Sequence, residues 1–143
     1  MATTRTAKAH WEGSLLEGAG QVALESSGVG TYEVSFPKRV ADDADGTTSP
    51  EELIAAAHST CFSMALSHAL AGAGNAPESI DTTADVTFQP GEGITGIKLS
   101  VNGTVPGLTA EQFAEFAEEA KKNCPVSQAL AAVNITLDVT FTA

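Results

Sequence analysis

The chain has 143 residues, 43% of them hydrophobic, and a net charge of −11 from 18 acidic and seven basic residues. That length fits one domain, residues 1–143, with a core of its own, and the acidity excludes a nucleic-acid binder, which needs clustered Lys and Arg to neutralise phosphates. The only arginines are Arg5 and Arg39, no apolar stretch reads as a membrane span, and Met1–His10 lacks the apolar core of a signal peptide, so a cytoplasmic location is expected.

Residues 5–12 and 19–26 read as strands separated by Gly13 and Gly18. Tyr32, Val34 and Phe36 alternate with polar neighbours, so 31–37 is predicted as a third strand, stopped by Pro37. The acidic, turn-rich segment 41–48 is expected to be a mobile, solvated loop. At Ser49-Pro50-Glu51-Glu52 a helix begins: Ser49 suits the N-cap, Pro50 the first turn, and Glu52 completes a capping box.

That helix runs to Leu70, is closed by Gly72 and Gly74, and spans roughly 30 Å. It is apolar on nearly every face (Leu53, Ile54, Ala55, Ala56, Ala57, Phe62, Met64, Ala65, Leu66), so it is expected to be buried on all sides, with a second subunit to cover it. Residues 80–89 and 94–105 read as antiparallel strands about Pro90-Gly91-Glu92-Gly93. A capping box at Thr109–Gln112 opens a helix to about Lys122, a short helix follows Cys124 with Pro125 in its first turn, and 134–142 alternates as a last strand. The order β-β-β-α-β-β-α-α-β implies an α+β fold with mostly antiparallel sheets around a long buried central helix.

Chemistry concentrates at two cysteines. Cys61 lies inside the long helix, where it can be shielded, and Cys124 lies just before a helix, where backbone N–H groups favour a thiolate. Two thiols in an otherwise cysteine-free chain fit a redox pair; without a C-x-x-C spacing, small apolar packing residues fit better. His58 and His68 fall near the Cys61 face, which raises a Cys–His dyad or a metal site. Neither has a third group to orient it or a ligand cluster, so a satisfied interface histidine is the preferred reading, and no cofactor or metal is expected. Phe62, Met64 and Phe116 read as core.

Taken together, Pro50-Glu-Glu-Leu-Ile-Ala-Ala-Ala-His-Ser-Thr-Cys61-Phe-Ser-Met-Ala-Leu-Ser67 resembles the helix signature of the OsmC/Ohr superfamily, and Asn123-Cys124-Pro-Val-Ser-Gln128 resembles its second cysteine motif. His10-Trp-Glu-Gly13 and Ser79–Val86 are similar to the OsmC branch, and the resemblance spans essentially the whole chain. The superfamily consists of cysteine-based peroxidases of bacterial cytoplasm that form intertwined homodimers with sites at the subunit interface. The resemblance implies Cys61 as peroxidatic thiol, Cys124 as resolving thiol, and Arg39 with Glu51 as polar partners. It further implies hydroperoxide as substrate and an external dithiol as reductant, without nucleic acid or membrane. In the Ohr branch the arginine lies near the second strand; Arg39 follows the third, as in the OsmC branch.

Each implied role has a competing explanation. A guanidinium beside a thiol lowers its pKa and polarises a peroxide, whereas a surface Arg39 could pair with Asp42 or Asp43. Glu51 could hold Arg39 bidentately, whereas an acidic residue in a first helical turn is favourable in any case. Glu51 and Cys61 are about 15 Å apart along one helix, so a shared site requires two antiparallel copies of that helix, crossing near Ala55–Ala57. The alternatives to a peroxidase are a non-catalytic small-molecule-binding dimer with packing cysteines and a Cys–His hydrolase.

Overall fold

Strand alternation in the first fifty residues produces a three-stranded antiparallel meander. In this computed structural model, which describes residues 1–143, the chain divides into two compact units, 1–50 and 51–143. The first unit holds β1 (Lys8–Glu12), β2 (Ala19–Ala23) and β3 (Thr31–Val34), in the order β1-β2-β3. Gly13, at φ +91°, makes the turn out of β1, a conformation that disfavours a side chain.

The third strand is shorter than its alternation predicts. Ser35 turns from strand to cap: its Oγ accepts from the Lys38 N–H at 3.3 Å, and Pro37 fits the first turn of a one-turn helix, α1 (Phe36–Arg39). Phe36 and Pro37 are therefore helical, and Arg39 ends that turn. The acidic loop after it is tethered rather than free. Lys38 Nζ meets Asp45 Oδ2 at 3.0 Å, the Asp45 N–H donates to Asp43 Oδ1, and Thr48 bridges to Val34. None of the first fifty residues is buried, and Trp11, Leu15, Leu16, Val29 and Tyr32 are exposed. A three-stranded sheet without a buried residue lacks the apolar cover that gives such sheets independent stability.

The second unit contains α2 (Pro50–Gly72) from its second residue on, β4 (Ser79–Gln89), β5 (Gly93–Thr104), α3 (Ala110–Asn123), α4 (Pro125–Ala129) and β6 (Asn134–Thr142). The β4-β5 hairpin is antiparallel, as its turn predicts. β6 lies parallel to β5, from Gly96↔Asn134 to Thr104↔Thr142. Alternation reads the same in either direction; the α3–α4 crossover is what makes a parallel pairing reachable.

β5 is the middle strand, with Ile97, Leu99 and Val101 buried. Against it pack Phe62, Leu66 and Leu70 of α2 and Phe113, Ala117 and Ala120 of α3. Phe113 stacks 5.0 Å from Phe141, centroid to centroid, and sits over Gly103, where any Cβ would collide with its ring. α3 starts with the predicted capping box: Thr109 Oγ1 accepts from the Gln112 N–H, and the Gln112 side chain accepts from the Thr109 N–H.

Within a single chain, α2 is buried along one side, and the expected cover by a second subunit concerns the others. His58, Phe62, Leu66 and Leu70 recur every four residues and form one buried ridge. Ala56, Ala57, Thr60, Met64 and His68 on other faces are exposed, Met64 at 67%. α2 is also, by length and composition, long and apolar enough to cross a membrane, contrary to the sequence reading. Its ridge nevertheless packs on the sheet core.

Candidate active site

Cys61 lies one residue before Phe62 in α2, at the edge of the buried ridge, and its thiol is half-buried and packed against the core. Cys124 occupies the joint between α3 and α4. It caps the C-terminus of α3 through its N–H to Ala120 O at 2.8 Å, and its carbonyl accepts from the Gln128 N–H at 3.0 Å. Pro125 in the first turn of α4 fixes that joint. The thiol of Cys124 is fully buried. Neither cysteine is in a disulfide.

The fold brings the two thiols together. The Cys61 sulfur lies beside the Cys124 thiol and the Val126 backbone N–H, and both act on its ionisation. Burial pushes the Cys61 thiol up; the Val126 N–H pulls it down, and the neighbouring Cys124 thiol adds to the upward push. This revises one expectation. The N–H groups at the start of α4 were expected to serve Cys124, yet the Cys124 side chain makes no cap bond there; the donor serves Cys61 across the gap.

His58 is fully buried within the second unit rather than left at a surface for an interface. Its Nε2 lies 2.7 Å from Ser127 Oγ, which is also buried, while its Nδ1 has no hydrogen-bond partner. Burial lowers the His58 pKa, so the ring is neutral. His68 is exposed. No three His, Cys, Asp or Glu side chains gather as a metal site.

Glu51 is buried in the first turn of α2, on the ridge side two turns before His58. Arg39 belongs to the first unit, at the end of α1 and half-buried. Phe62 is core, Phe116 packs half-buried against the core, and Met64 is exposed rather than internal. Sequence reasoning missed Ser127 and the Val126 N–H. Ser127 lies inside the second cysteine motif, three residues after Cys124, as His58 lies three before Cys61; that symmetry was the available signal.

Comparison with known proteins finds relatives for the whole chain. The model of the OsmC-like protein family matches residues 42–139. The chain is 45% identical over 141 residues to the peroxiredoxin OsmC of Escherichia coli, covering 96% of each. Among solved structures, an organic hydroperoxide resistance protein from Elizabethkingia anophelis is 31% identical, with a TM-score of 0.68 over 99% of both chains. The organic hydroperoxide resistance protein OhrB of Bacillus subtilis is 26% identical, with a TM-score of 0.69 over 94% of this chain and 97% of that one.

Proposed function

The chain belongs to the OsmC family, and from that premise we propose that it is a thiol-dependent hydroperoxide peroxidase working through Cys61 and Cys124. The observation that carries the reading is the thiol pair itself: a half-exposed Cys61 in contact with a fully buried Cys124. Packing residues alone would not explain why the sulfur of one also faces a backbone N–H of the helix that follows the other.

The steps follow from that asymmetry. Cys61, as thiolate, attacks the outer oxygen of the hydroperoxide. The O–O bond breaks, the alcohol or water leaves with a proton, and Cys61 becomes a sulfenic acid. The Cys124 sulfur then displaces that oxygen as water, its thiol proton going with it, and a Cys61–Cys124 disulfide forms. An external dithiol reduces the disulfide, returning both thiols and leaving as its own disulfide.

The thiolate needs stabilisation, since burial and Cys124 both disfavour it and one N–H opposes them. Arg39 is assigned that role, with Glu51 holding its guanidinium. A homodimer is part of the reading. It is supported by the absence of any buried residue in the first fifty and by the exposed Ala56, Ala57 and Met64 on α2. A carboxylate about 15 Å along the same helix from the thiol then serves the other subunit's site.

The test is a steady-state assay of hydrogen peroxide and an alkyl hydroperoxide with a dithiol reductant. The reading expects one dithiol oxidised per peroxide consumed. Consumption of neither peroxide, with both thiols reduced at the start, would leave the small-molecule-binding alternative.

A further inference from the structure

We propose that His58 and Ser127 are positioning residues that hold the start of α4 against Cys61 and so set how readily that thiol ionises and closes onto Cys124. The inference rests on the peroxidase reading for its biological meaning, though its physical content concerns the two thiols alone. Two contacts run between α2 and the segment after Cys124. One sets the Val126 N–H beside the Cys61 sulfur. The other is His58 to Ser127, at 2.7 Å with both side chains buried.

The two contacts are one residue apart on α4 and three apart on α2, so they act as adjacent rungs. α4 is only five residues long, and its ladder is short, with Gln128 N–H to Cys124 O at 3.0 Å and Leu130 N–H to Val126 O at 2.9 Å, so its own bonds do little to fix its position against α2. The buried rung to His58 is the polar contact that fixes it laterally. A backbone donor stabilises a thiolate only within a narrow range of distance and angle, so releasing that rung weakens the Val126 contact to Cys61.

The state of the ring supports the assignment. His58 is neutral, and one nitrogen has no partner. A buried N–H without an acceptor is rarer than a bare lone pair, so the proton belongs on Nε2, donating to Ser127 Oγ, and Nδ1 carries the lone pair. A neutral donor of this kind can be imitated by an amide. Glutamine places its Nε2 near the position of the histidine Nε2 and does not titrate.

The experiment measures the Cys61 thiolate titration by alkylation in a Cys124→Ser background, and, in the two-cysteine protein, the rate of Cys61–Cys124 closure by a small-molecule disulfide: Cys61 attacks it and releases one thiol, and Cys124 then displaces the second. Ser127→Ala is expected to raise the titration midpoint of Cys61 and slow closure; each unit of upward shift cuts the thiolate fraction at neutral pH about tenfold. Ser127→Thr and His58→Gln, which keep the bond, are expected to restore the wild-type midpoint. A Ser127→Ala protein that melts earlier but titrates and closes as the wild type does would reduce the pair to a structural pin and overturn the proposal. Should Ser127→Ala fail to fold, His58→Gln decides: a raised midpoint in the folded variant contradicts the proposal. Neither readout uses peroxide, so absent wild-type turnover would sink the peroxidase reading and leave this inference standing or falling by itself.

Discussion

Cys124 is reachable only if α4 lifts, and the cost of lifting sets a measurable protection. The thiol has no exposed surface. Freeing it breaks the His58–Ser127 bond, about 1 kcal/mol, and uncovers Val126 and Leu130, two half-buried aliphatics packed on the core. At about 1 kcal/mol for each half-burial the opening costs about 3 kcal/mol in all. At 1.4 kcal/mol per decade, alkylation of Cys124 slows about a hundredfold. The assay follows iodoacetamide labelling by mass spectrometry, natively and in denaturant: Cys124 in Cys61→Ser, and Cys61 in Cys124→Ser. Cys61 is expected to show much the smaller protection, since it needs no opening. An external thiol would then open the disulfide at the Cys61 sulfur, and mixed disulfides should map to residue 61. Native labelling of Cys124 as fast as in the unfolded chain would refute this reasoning.

Arg39→Ala is expected to lose peroxidase activity, to raise the Cys61 titration midpoint and to keep its fold; a wild-type rate with an unchanged thiolate titration would remove Arg39 from the mechanism. His58 has a folded pKa below its ordinary 6.5, so below about pH 6.5 the unfolded chain binds a proton that the folded one resists, and stability falls with falling pH. Denaturant unfolding across that range should show less of this loss in His58→Gln. Mixing inactive Glu51→Ala with inactive Cys61→Ser under co-refolding is expected to restore partial activity through heterodimers; no recovery in demonstrated heterodimers would contradict a shared site.

The elements with strong local signals were legible in the sequence. The Thr109–Gln112 capping box, the Pro90–Gly93 hairpin turn and the alternation of Ile135, Leu137, Val139 and Phe141 each specify their structure locally. Phe36 was misread because Tyr32, Val34 and Phe36 keep a period of two, although the Ser35 cap and Pro37 override it. β6 was placed without its direction, because alternation carries no polarity. Both cysteines could be named from their motifs, but not the donor that joins them. Val126 contributes only its backbone N–H to Cys61, so no side-chain pattern marks it. The stripe of α2 that faces the sheet was hidden by the helix's uniform apolarity.

The central claim is that Cys61 takes the oxygen and Cys124 resolves it. The most direct measurement adds one equivalent of hydroperoxide to Cys124→Ser in the presence of a dimedone-type probe and maps the adduct by mass spectrometry. The account predicts a single sulfenic-acid adduct on Cys61, and in the two-cysteine protein a Cys61–Cys124 disulfide in its place. An adduct on Cys124 in Cys61→Ser with turnover retained, or no adduct on Cys61 while peroxide is consumed, would contradict it.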